Sequence, residues 1–258
     1  MKYFVIAILL SAFYTVTAQD NYEIQVYGSQ TQSPGSTMFE WHNNFTFDGS
    51  KTIADGVLPS NHALHETLEI TTGITGIFET GVYLFTAYLP GHGYQVVGTH
   101  LRPRIMAPLK WKLPVGLSLS TEIGYQKADY SSSTWSLEIR PIIDKQLKNW
   151  YVSFNPTLGV SLKSKYDKST PTFEPNVKVN YTLFKNGAIG LEYYGDIGYF
   201  NNPENLSQQN DAFFISYDLL NNSKWEFNMG AGIGVTSATD RFVFKTILGR
   251  RINWHARA

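Results

Sequence analysis

His100, Arg102 and Arg104 stand two residues apart, and Glu138 and Arg140 repeat that spacing further on. On an extended chain a spacing of two turns every member to one side, so three donors of one segment converge on one slot. Glu79 and Glu122, on the segments before and after, are the carboxylates within reach. Two chemistries fit. A positive constriction of this kind orients an anionic or polar solute in a pore. Alternatively, the same groups pair off as salt bridges that satisfy buried charge and stiffen a wall.

The histidines raise the question of a metal. His42, His65 and His100 share the parity of the arginines, and they meet at one ion only if strand tilt and stagger bring them to one height. No metal site is assigned, and these three are the candidates held in reserve. His62 and the pair His65-Glu66 imitate a zincin motif, but residues three apart on a strand face opposite ways. Lipid-cleaving barrels set a His two residues from a Ser so that the imidazole activates the hydroxyl. Here the residues two after each histidine are Asn44, Leu64, Thr67, Tyr94, Arg102 and Arg257. No catalytic residue and no cofactor are assigned, and the chain reads as a non-enzyme.

The elements that position these groups have a period of two almost throughout. Val115, Leu117, Leu119, Thr121, Ile123 and Tyr125 alternate with Gly116, Ser118, Ser120, Glu122, Gly124 and Gln126, which defines a two-faced strand. About twelve such segments follow one another, near 37–47, 62–73, 77–89, 94–107, 115–126, 134–143, 150–163, 172–184, 187–199, 211–220, 223–236 and 241–253. Most are twice the length of an ordinary strand, enough when tilted to cross a bilayer's hydrocarbon band. Long polar connectors such as 48–61 and 200–210 alternate with short ones such as Lys185-Asn186. That asymmetry is characteristic of an outer-membrane barrel with both termini in the periplasm. Hydrocarbon offers no water to a free strand edge, so such a sheet must close. The expected fold is therefore all-β, a closed antiparallel transmembrane barrel with its polar face inward. One residue resists: Glu66 falls on the apolar side with Leu64, Leu68 and Ile70.

Composition narrows the function classes. The 258 residues are 43% hydrophobic and only 16% charged, with 21 basic against 21 acidic side chains, so the basic surplus of a nucleic-acid binder is missing. Zero cysteines exclude disulfides and thiolate chemistry. Residues 1–18 carry a basic start, an apolar run and the small-residue exit Val16-Thr17-Ala18, the pattern of a cleaved secretory signal. Residues 19–36 read as a periplasmic leader or a short extra strand, 37–254 as the barrel, and 255–258 as a periplasmic tail. Gly230, Gly232 and Gly234 leave an inward groove of small residues in which a bulky side chain can pack.

Several stretches carry a family resemblance: Asn61 to Ile74 (NHALHETLEITTGI), Gly98-Thr99-His100-Leu101-Arg102-Pro103-Arg104, Lys112 to Ser118, Phe173-Glu174-Pro175-Asn176 and Leu191 to Asp196. The sequence resembles outer-membrane proteins of Bacteroidetes-type bacteria, themselves similar to the transporter-like barrels grouped under the MetA pathway of phenol degradation. The resemblance implies a barrel and assigns no functional residue. The expected function is a passive pore or transporter-like channel for a small solute, in the bacterial outer membrane. Its partners would be outer-membrane lipid, the barrel-assembly machinery reading Trp254 in place of a terminal aromatic, and the solute; nucleic acid is not among them. A non-conducting structural or adhesive barrel and a lipid-modifying barrel enzyme are the alternatives.

Overall fold

The computed structural model describes residues 21–164 and 170–254; the signal segment 1–18 and the tail 255–258 lie outside the described residues. Fourteen strands are formed among them: β1 (Ser36–Asp48), β2 (Leu64–Gly73), β3 (Phe78–Leu89), β4 (Gly93–Met106), β5 (Gly116–Gln126), β6 (Ser133–Leu147), β7 (Trp150–Ser164), β8 (Thr172–Phe184), β9 (Gly187–Asp196), β10 (Gly198–Tyr199), β11 (Asn202–Pro203), β12 (Asn210–Leu219), β13 (Trp225–Gly234) and β14 (Phe242–Asn253). The two-residue β10 and β11 only extend the outer end of β8. The other twelve pair antiparallel in chain order, and β14 returns to β1 from Ser36↔Asn253 to Asp48↔Phe242. The wall is closed.

Alternation sets which way each residue looks. In β5, Leu117, Leu119, Ile123 and Tyr125 are exposed on the outside while Ser118, Ser120, Glu122 and Gln126 are buried within. Aromatic pairs mark both rims: Trp150 with Tyr181 at the short-turn end (4.8 Å between rings) and Tyr125 with Trp135 at the long-loop end (5.7 Å). Such girdles sit at membrane interfaces. Reversing one strand would put arginines into lipid at about 2–4 kcal/mol each, so the register is tightly fixed.

One strand boundary departs from the sequence expectation, and the outward glutamate finds its explanation. Strand β6 continues to Leu147 and its turn shrinks to Lys148-Asn149, with Lys148 at φ 53. The polar run Asp144-Lys145-Gln146 conceals a strand because it rises beyond the apolar band, yet it still pairs with residues 151–153. Glu66 does face outward, set between Asn43 and Thr86 on its neighbouring strands. A bulge next door turns Val97 inward, since Phe85 pairs with Gly98 but Thr86 with Val96. There the Tyr94 hydroxyl lies 2.8 Å from Thr86 Oγ1 and also reaches Glu66. Glu66 thus belongs to a small polar patch toward the long-loop rim.

Residues 21–33 form neither a wall strand nor a leader outside the barrel. From Gly35, tied to Gly73 at the short-turn end, the segment runs through the lumen to Asn21 near the long loops.

Candidate functional site

The lumen is charged, as parity requires, and most of its charges are paired. Arg102 donates to Glu69 (2.5 Å), Glu79 (3.1 Å) and Thr71 (3.0 Å); Arg104 reaches Glu79 at 2.7 Å. His100 Nδ1 meets Glu122 at 2.5 Å, and Arg140 meets Glu138 at 2.7 Å. Across the lumen, Glu192 lies between Lys245 (2.5 Å) and Lys178 (3.0 Å), and Lys178 also holds Asp218 (2.8 Å). Every one of these strands places its charged residues at alternate positions, so cross-strand neighbours meet on the inner face. Buried charge is tolerable only when paired in this way.

The arginines expected to line an open constriction are instead occupied by the chain itself. The Tyr27 ring lies under three guanidiniums, 4.8 Å from Arg140, 5.1 Å from Arg102 and 5.8 Å from Arg104, an arrangement of cation–π contacts. Its hydroxyl bonds Glu23 and stands 3.3 Å from that of Tyr83. Arg104 also donates to the carbonyls of Gly28 (3.0 Å) and Gln30 (2.8 Å).

The rest of the segment is held through its backbone. Asn155 Oδ1 accepts from Tyr27 N–H (2.7 Å), while Ser153 and Asn155 donate to Tyr27 O. Thr67 donates to Tyr22 O (2.7 Å) and Lys245 to Ile24 O (2.9 Å); Ser29 N–H and hydroxyl donate to Asp144, and Gln32 N–H to Glu79. A segment threaded through a barrel has no ladder, so inward polar side chains supply the partners its backbone needs.

Apolar contacts pack the segment into the outer half. Tyr22 packs with Ala63, Phe85, Ala87, Leu89 and Val97; Ile24 and Val26 pack with Tyr194, Ala212, Phe214 and Val243. The glycine groove of β13 accommodates part of this: a Cβ on Gly232 would collide with the Phe214 ring. In the other half a cavity of about 1320 Å³ remains, reaching from the short turns at Pro108 and Asn221 inward to Glu40, Glu79 and Lys245.

The three reserved histidines do not share a site. His65 meets the Tyr22 ring edge-on at 4.9 Å and His100 pairs with Glu122 and Phe85, while His42 sits with Glu40 and Glu69. Sequence parity found the charged wall but missed the segment. Its signal was the pattern Tyr22-Glu23-Ile24-Gln25-Val26-Tyr27, amphipathic yet outside the sheet, and the inward apolar row Tyr83, Phe85, Ala87 and Leu89 in β3 that had nothing else to cover.

A closed wall, apolar outside and charged within, defines an outer-membrane type of β-barrel. No protein-family model matches the sequence, and no curated protein matches it. Among solved structures it is similar to the COG4313 outer membrane channel from Pseudomonas putida F1, with TM-score 0.60 and 10% identity over 89% of this chain and 100% of that one. It is also similar to the KdgM porin, with TM-score 0.51 and 11% identity over 83% of this chain and 98% of that one. The same porin in complex with disordered oligogalacturonate gives TM-score 0.52 at 10% identity over 84% and 99%. At such identities the likeness establishes the fold.

Proposed function

We propose that the protein is a passive conduit for a small solute in the bacterial outer membrane, closed across its outer half by its own N-terminal segment. The observation that carries this is the cavity of about 1320 Å³ that reaches from the short turns inward to Glu40, Glu79 and Lys245, with residues 25–35 of that segment along its side. A wall built only for stiffness or adhesion has no need of a roomy chamber bordered by a segment of its own chain. The channel and porin among similar folds support the reading. So do the segments resembling Bacteroidetes-type transporter-like barrels. Insertion would use the barrel-assembly machinery, with Trp254 as the terminal aromatic. A conduit rather than a lipid enzyme is favoured because no serine stands two residues after any histidine to be activated by it.

The test is swelling of liposomes carrying either the full chain or a chain lacking residues 21–33, against sugars, amino acids and aromatic acids. The shortened barrel should admit solutes that the full chain excludes or passes slowly. Heat-dependent migration on gels verifies that both are folded. Exclusion of every solute by a folded, shortened barrel would favour a structural role, and release of fatty acid from the vesicles would favour an enzyme.

A further inference from the structure

Glu40 and Glu69 are directly opposite one another in the β1–β2 register, and both face the lumen. Like charges in that relation repel, and burial strengthens the repulsion. Arg102 and Thr71 both contact Glu69 Oε1, which leaves Oε2 without a hydrogen bond. Arg102 and Arg104 offset two of the three neighbouring carboxylates Glu40, Glu69 and Glu79, and among the described residues Glu40 enters no ion pair.

The group between the two carboxylates is His42. It is fully buried on the same face of β1 as Glu40, and neither ring nitrogen has a hydrogen-bond partner. Its Nε2 lies 3.6 Å from Glu69 Oε2, and ligand atoms of all three residues fall within 4.8 Å of one another. Two ligands bound at about 2.0–2.1 Å to a tetrahedral ion stand about 3.3–3.4 Å apart, so the His42–Glu69 pair is already near that spacing and the group as a whole would draw together by up to about 1.4 Å.

We propose that Glu40, His42 and Glu69 form a binding site for a divalent transition-metal cation. One imidazole and two carboxylates suit zinc or manganese better than the all-oxygen cations calcium and magnesium. Three protein ligands leave further coordination positions for water. The cavity reaches Glu40 from the short-turn end and provides the entry path. Binding would turn a repulsive cross-strand pair into a bridge between β1 and β2, directly beside the arginines that hold Tyr27.

The test is equilibrium dialysis of chelator-stripped, detergent-purified full chain against zinc, with bound metal quantified by mass spectrometry. Wild type should take up one tightly held zinc per chain, and replacing the exposed loop histidines (His62→Ala with His92→Ala) should leave it in place. His42→Ala should abolish it, and the isosteric Glu40→Gln, which preserves side-chain volume and therefore folding, should weaken it by at least about tenfold. Wild type that binds no zinc tightly would overturn the proposal, as would zinc retained equally by folded Glu40→Gln and lost with the loop histidines. None of these readouts depends on conduction.

Discussion

Glu192 lies at the meeting point of the β8, β9 and β14 charges, and its removal gives a quantitative test of how the lumen is held together. The carboxylate is fully buried, with Lys245 at 2.5 Å, Lys178 at 3.0 Å and the Tyr194 hydroxyl at 2.7 Å. Glu192→Gln preserves shape and leaves Lys245, 1% exposed, facing neutral acceptors (the Ile24 carbonyl, the Tyr194 hydroxyl and the new amide oxygen) with no carboxylate beside it. Stranding a buried charge costs about 3–5 kcal/mol, at least about a 100-fold loss in the folded-to-unfolded ratio. Lys245→Met is milder, about 1.5–3 kcal/mol, because Glu192 still has Lys178 and Tyr194. In the double variant neither charge is left alone. Lys245→Met should then add nothing to Glu192→Gln, which corresponds to a coupling equal to the Lys245→Met cost, about 1.5–3 kcal/mol. The assay is reversible urea unfolding in lipid vesicles, followed through the six tryptophans. Singles that add to within about 0.5 kcal/mol would refute the paired lumen.

Three further outcomes follow from the same geometry. Arg102→Ala with Arg104→Ala removes two of the three guanidiniums over Tyr27 and both donors to Gly28 and Gln30. In planar bilayers this double variant should open more often than wild type, whereas an unchanged open probability would show that the arginines do not retain the segment. Gly232→Val drives a side chain into the Phe214 ring and should cost about 1–3 kcal/mol by overpacking, read as a shift of the urea midpoint. Leu84→Arg, on the outer face in the middle of β3, should destabilise by about 2–4 kcal/mol in vesicles; a neutral effect would mean that this face does not meet lipid.

The wall was legible because two solvents write two different codes on one strand. Phe173, Val177 and Val179 against Glu174, Lys178 and Asn180 in β8 can be read without any structure, and β8 begins and ends where that alternation does. Where a strand leaves the lipid the code fades, which is why Asp144 to Leu147 went unread. The ion pairs of Glu79 and Glu122 followed from parity and adjacency, since only neighbouring strands can meet on the inner face. The lumen segment was hidden for a different reason. Its partners are side chains from β1, β2, β3, β4, β6, β7 and β14, and no local pattern announces a segment that pairs with side chains. Phe85 and Phe214 carried a faint trace of it, as aromatic residues on the face that should have been wet.

The central claim is that residues 21–33 lie inside the barrel, and a single engineered bridge tests it. A Cβ placed on Gly116, at the start of β5, would touch the Ser29 hydroxyl of the segment, and the chain has no cysteine to compete. Ser29→Cys with Gly116→Cys, oxidised in the folded state, should form an intramolecular disulfide that changes migration on a denaturing gel until reductant is added. Two free thiols that remain open to alkylation in the folded, oxidised barrel would place the segment elsewhere.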